Sequence, residues 1–188
     1  MRRIAAVLVV GVISLAACGS SGSKASPTST GGSTGGSTAA PANGEPEGTK
    51  TYTGLERTHV DTPVDYPQTP PVGGPHNPVW ETCAFFDKPI MKERGVHSME
   101  HGAVWITYTS TLSSDDIDLL KKAQQAGPKV LVTPFPGLPS PVVASAWGKQ
   151  LVLQSASDPR LLQFVKYFSD GPQTPEPGVP CTGGTMET

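Results

Sequence analysis

The chain has 188 residues, with 14 Lys and Arg against 16 Asp and Glu and a formal net charge of −2. It has no basic run or stripe, which excludes a nucleic-acid partner of the usual kind, since that needs clustered Lys and Arg. The 20 prolines and 21 glycines point to long irregular segments, and with only 3 cysteines each one has to be accounted for.

In chain order, Arg2 and Arg3 precede an apolar run from Ile4 to Ala17. Residues 1–17 therefore read as a secretory signal with a positive start, an apolar middle and a small-residue end. The run is too short for a membrane-spanning helix, which needs about 20 residues. The ending Leu15-Ala16-Ala17-Cys18 resembles a bacterial lipobox. That resemblance implies cleavage before Cys18 and a diacylglycerol on its sulfur. The protein is then expected at the cell membrane, lipid-anchored on the extracytoplasmic face. An ordinary secretory signal with a coincidental cysteine is the competing reading.

Residues 18–50 are almost all Gly, Ser, Thr, Pro, Ala and Asn. Such a segment buries too little apolar surface to offset its chain entropy and is expected to be a disordered tether. A coil of that length spans about 30 Å. Residues 51–188 then form one globular extracytoplasmic domain of ordinary size. Setting Cys18 aside leaves Cys83 and Cys181, which are expected to pair in an oxidising compartment. The alternative is a thiolate metal ligand.

The domain divides into unlike halves. From His59 to Gly95 there is little periodicity, and the Pro- and Gly-rich run from Tyr66 to Pro78 must be irregular because proline fixes φ and removes a donor. The second half carries regular signals. Ala103–Tyr108 is β-branched and aromatic, hence a strand. Ser113 or Ser114 caps a helix with Asp115 and Asp116 in its first turn, which stops at Gly127-Pro128. Lys129–Thr133, Val142–Trp147 and Lys149–Gln154 read as strands. Asp158-Pro159 starts a last helix with Leu161, Leu162, Phe164, Val165 and Phe168 on its apolar face. The order predicts an α+β fold: a small, mostly antiparallel sheet with two helices on one face and a long irregular Pro/Gly-rich N-terminal half.

Any chemistry lies in the four histidines, His59, His76, His97 and His101, which all fall in the irregular half or at its junction with the first strand. Imidazole is the commonest protein ligand for borderline metals. The densest stretch is His97-Ser98-Met99-Glu100-His101-Gly102, and its meaning depends on backbone shape. As a helix it places His97, Glu100 and His101 on one face. That is the H-x-x-E-H pattern in which two histidines hold zinc and the glutamate acts as base. As an extended segment it places His97, Met99 and His101 together, a softer set suited to copper. The zinc-hydrolase reading is weak, because Gly95 and Gly102 flank the stretch closely and no third ligand on a second long helix is evident. Copper is the first candidate cofactor, held by His59, His76, His97, Met99, Glu100 and His101. The alternative is a non-catalytic envelope interaction or scaffold domain in which the same residues form a structural hydrogen-bond cluster that locks the loop.

Three stretches resemble one bacterial family of envelope domains of unknown function, the one numbered 3105. They are Tyr66-Pro67-Gln68-Thr69-Pro70-Pro71 with Gly74-Pro75-His76-Asn77, Val96 to Val104, and Ala146-Trp147-Gly148. The likeness extends from His59 to Gly184. It implies a shared site at His59, His76, His97, Glu100 and His101 without naming a ligand. Met99 stands where the family pattern carries leucine, so the resemblance does not imply a methionine ligand.

Other motifs have plain readings. Trp105, Trp147 and Phe164 are core aromatics. Asp115, Asp116 and Asp118 lack the spacing and glycine of a calcium loop. Pro134–Pro141 is a rigid connector. Ser98 and Ser140 have no base partner, so nucleophilic catalysis has no support.

Overall fold

The computed structural model describes residues 44–188. The signal expected at 1–17, the lipid-bearing Cys18 and the tether as far as residue 43 lie outside the described residues. The elements are β1 (Lys50–Thr51), α1 (Lys92–Glu100), β2 (Val104–Tyr108), α2 (Ser114–Gln124), β3 (Val130–Pro134), β4 (Val142–Ala146), β5 (Lys149–Leu153) and α3 (Pro159–Phe168). They form an α+β domain around one five-stranded sheet of order β1-β5-β4-β2-β3. Only β2 and β3 run parallel, joined through α2; the other pairs are antiparallel.

The sequence signals for the second half act as expected. Ser113 Oγ accepts from the Asp116 amide at the start of α2, and Asp158 accepts from the Arg160 amide at the start of α3, with Pro159 in its first turn. Strands β4 and β5 form a hairpin across Trp147-Gly148. Gly148 has φ +67°, and a Cβ there would lie 2.8 Å from the Tyr52 carbonyl, so the turn requires glycine. Strand β2 is buried along its whole length, so its two faces feed two cores. On one side Val104, Ile106, Val130, Val132, Val142 and Ala144 meet Leu120 and Ala123 of α2 and Leu161, Phe164, Val165 and Phe168 of α3. On the other, Trp105 and Leu131 meet Val96 and Met99 of α1, with Phe86 and Trp147.

Two features depart from the sequence reading. The sheet has a fifth, two-residue edge strand, β1, pairing Lys50 with Gln150 and Thr51 with Lys149. A third helix, α1, also stands where the irregular half was expected to run on, and it lies on the face of the sheet opposite α2 and α3. Its apolar signal is short because only Val96 and Met99 face the core. Tertiary packing rather than periodicity makes it a helix.

Gly95 permits that packing. It sits inside α1, where glycine is disfavoured, and a Cβ there would fall 2.7 Å from the Trp105 ring. The helix backbone thus lies almost in contact with β2. The loops before α1 are held by single bridges. Phe85 pairs with Val132 beside β3, and Glu81 pairs with Thr185. The C-terminal segment is fastened to the same loops by the Cys83–Cys181 disulfide, which closes a separation of 98 residues. The expected cysteine pairing is therefore present.

Replacing Gly95 with Ala tests the close approach. Helix propensity alone predicts a gain of about 1 kcal/mol. We expect instead a loss of about 1–3 kcal/mol in chemical denaturation, because the added methyl overpacks against Trp105.

Candidate metal centre

The last turn of α1 supplies most of the site. His97, Glu100 and His101 share one helix face at positions i, i+3 and i+4, and the intervening Met99 points to the core. The extended His-Met-His alternative is thereby corrected: Met99 is fully buried beside Trp105 and Val96, away from the imidazoles. The helix brings together the other expected partners of the stretch.

The irregular half supplies the rest. The Val60 amide donates to the His76 carbonyl at 2.7 Å, and the His76 amide donates to the Thr58 carbonyl at 3.0 Å. This short parallel bridge sets His59 beside His76. The ring centroids of His59, His76 and His97 form a triangle with every side 4.9 Å, and His101 lies 4.6 Å from His97. One potential ligand atom each from His59, His76, His97 and Glu100 lies within 4.8 Å of the others.

Main-chain carbonyls fix the orientation of three rings. His76 Nδ1 donates to Gly74 O at 2.8 Å, His97 Nδ1 to Asn77 O at 2.6 Å and His101 Nδ1 to Pro180 O at 3.2 Å. A carbonyl only accepts, so each Nδ1 carries the hydrogen and each neutral ring keeps its lone pair on Nε2. Those Nε2 atoms point at other acceptors. His97 Nε2 lies 3.0 Å from His101 Nε2, and His76 Nε2 lies 2.9 Å from Glu100 Oε2. His59 Nε2 is 3.8 Å from the same carboxylate oxygen. Facing lone pairs at these distances call for a positive charge between them, either a proton or a metal ion.

The surroundings disfavour the proton on the rings. Burial lowers the pKa of His97 and His101 to about 4, and it lowers that of His76 as well. Burial raises the pKa of the Glu100 carboxyl, and the nearby Glu176 raises it further. At neutral pH the three buried rings are thus uncharged. Two donors each about 2.05 Å from a metal stand about 2.9 Å apart at a right angle and about 3.3 Å apart at a tetrahedral one, and the 3.0 Å His97–His101 and 2.9 Å His76–Glu100 contacts fall in or near that range. The outward Nδ1–H···O=C contacts are the kind that commonly orient metal-bound histidines.

Several groups here were not among the expected site residues. Trp80 packs over His101 and His97, with centroids 4.9 and 5.7 Å away. Glu176 Oε2 lies 3.6 Å from His101 Nε2. It comes from the Pro-rich C-terminal segment, and only the Cys83–Cys181 pairing hinted that this segment returns to the site. Glu81 lies fully buried nearby, its amide donating to Ser98 Oγ, with no hydrogen-bond partner for either carboxylate oxygen among the described residues. Burial pushes its pKa up to about 7. A cavity of about 780 Å³ lined by Phe85, Tyr108, Leu112 and Phe135 opens at the far end of β2 from His101 and does not involve the histidines.

The ring assignments can be checked by 15N NMR. His97 and His101 should give the neutral Nδ1–H pattern from pH 7 down to about 5 and protonate only near 4. Since the unfolded chain takes up these protons near 6.5, the two rings alone make the fold less stable as the pH falls from about 6.5 towards 4. Titration of both rings at ordinary values would contradict the assignment.

Comparison with curated proteins returns no match, and neither does comparison with solved structures. A protein-family model does match, over residues 58–183, a span that holds all four histidines, Glu100 and both cysteines of the disulfide. The chain therefore belongs to the family described as proteins of unknown function, DUF3105.

Proposed function

We propose that this protein is a metal-binding domain, lipid-anchored on the extracytoplasmic face of the cell membrane, whose ion is held by Nε2 of His59, His76, His97 and His101 together with Glu100. One observation carries the reading. His97 and His101 each give their Nδ1 hydrogen to a main-chain carbonyl, and their remaining lone pairs face each other at 3.0 Å. A purely structural cluster would leave those nitrogens donating to an acceptor or set apart, not opposed.

The donor set indicates which metal. It has imidazole nitrogen and carboxylate oxygen but no sulfur, since Met99 is in the core and Cys83 and Cys181 are joined to each other. Such a set suits a borderline dication over Cu(I). Cu²⁺ stands above Zn²⁺ in affinity for nitrogen and oxygen sites, and it is the first candidate. The H-x-x-E-H stretch supports binding better than hydrolysis, because Glu100 is buried against His76 among the ligands.

The scaffold role is compatible with this reading. The His97 and His101 Nδ1 contacts tie the 74–77 loop and the C-terminal segment to the end of α1, and the His76 contact braces the loop on itself, whether or not an ion is present.

Two experiments test the proposal. Calorimetric titration of the folded domain with Cu²⁺ should give one tight site, and His97→Ala and His76→Ala should weaken it at least about tenfold while circular dichroism stays native. Binding no tighter than about 10 μM, roughly −7 kcal/mol, would exclude a dedicated site. For the anchor, the full chain made in a bacterial host should take up a fatty-acid label and sediment with membranes, and Cys18→Ala should do neither.

A further inference from the structure

The ligands named so far leave a charge problem. An imidazole ligand brings no negative charge, so a dication held by four of them and Glu100 keeps one uncompensated positive charge beside buried rings. An unpaired buried charge is costly, and proteins normally neutralise it. A second carboxylate next to the cluster would complete the balance.

One is present, on a segment shaped to deliver it. Residues 170–181 form a strap that crosses the C-terminal end of α1. Its start is fixed where the Asp170 amide donates to the Gly102 carbonyl at 2.8 Å, and where Lys129 Nζ donates to both His101 O, at 2.8 Å, and Asp170 Oδ1, at 2.6 Å. Its middle is set in register by the Glu176 amide, which donates to the Glu100 carbonyl at 3.1 Å. Its end is held by Pro180 O, which accepts from His101 Nδ1, and by the disulfide at Cys181. The Glu176 carboxylate emerges between these anchors, with Oε2 3.6 Å from His101 Nε2. Its side chain is 43% exposed, whereas that of His101 is 4% exposed. It accepts no hydrogen bond among the described residues.

Resting on the metal reading above, we infer that Glu176 is a further ligand of the bound ion, supplied in reach of His101 by the disulfide-pinned strap, and that it makes the centre selective for a doubly charged cation. Glu100 and Glu176 together carry two negative charges, and these balance a dication among neutral imidazoles.

The test uses the purified folded domain with Cu²⁺ as the probe. Glu176→Gln keeps size and shape but removes the charge. It should weaken Cu²⁺ binding about 10- to 100-fold, the range seen when carboxylates supporting a metal site are lost. It should also change the electron paramagnetic resonance spectrum of the bound Cu²⁺, because an anionic oxygen donor has been lost. Glu187→Gln is the charge control: Glu187 is exposed, pairs with Arg94 and lies outside the cluster. An E176Q variant with wild-type affinity and spectrum overturns the inference and leaves the metal centre standing. Equal weakening in E187Q also overturns it, by showing a long-range charge effect rather than ligation. A wild-type domain that takes up no Cu²⁺ removes the metal reading itself and this inference with it.

Discussion

Three main-chain carbonyls, those of Gly74, Asn77 and Pro180, determine what the histidines of this protein can do. Each takes the Nδ1 hydrogen of one buried ring. An imidazole that has given away its only hydrogen can act at its second nitrogen solely as an acceptor. With each Nδ1 so engaged, the acceptor nitrogens are the Nε2 atoms, which face one another and Glu100. The rings are thereby oriented and held in one tautomer by the fold alone, which would lower the ordering cost of binding the ion proposed above. The contacts that fasten the loops are also the contacts that prepare the centre.

This arrangement depends on how α1 is seated. One face of the helix carries Val96 and Met99 into the core under β2, and the adjoining face carries His97, Glu100 and His101. A rotation of the helix by one residue, about 100°, would turn imidazole towards Trp105 and methionine towards the histidine cluster. Two things prevent it. The bare backbone at Gly95 fits against the Trp105 ring. Ser98 Oγ donates to the Glu81 carbonyl at 2.7 Å and accepts from the Glu81 amide at 3.1 Å. A small residue and a hydroxyl, neither of which looks functional, thus set the face on which the ligands stand.

Much of this was legible in the sequence, and the rest was hidden for identifiable reasons. The strands of the second half declare themselves as short apolar, β-branched runs buried on both faces, and its two helices by a capping residue and an apolar face. The histidines were legible as candidates because imidazole is rare here and clustered. Helix α1 was left open between helical and extended readings, since only Val96 and Met99 mark its buried face and a glycine interrupts it. That left Met99 ambiguous between ligand and core. Strand β1 was too short at two residues to show any pattern. The orienting carbonyls leave no trace at all, because every residue has one. Glu176 lies 75 residues beyond His101 in a proline-rich run, and only the cysteine pairing pointed to its return.

Glu81 shows why burial alone does not make a metal site. It is as buried as Glu100, and both carboxyls have raised pKa values for the same primary reason, loss of water. Around Glu81 the nearby charges are Arg94 and Glu187, and no imidazole pairs with it. A proton can neutralise that group where it stands. Glu100 Oε2 lies 2.9 Å from the lone pair of His76 Nε2 and 3.8 Å from His59 Nε2. One proton on the carboxyl satisfies His76 at most and leaves the His97–His101 pair opposed. A single divalent ion can satisfy both contacts at once, because it accepts several donors where a proton bridges two. The difference between the two glutamates lies in the number of lone pairs aimed at one point, and that number is set by which nitrogens the loops leave free.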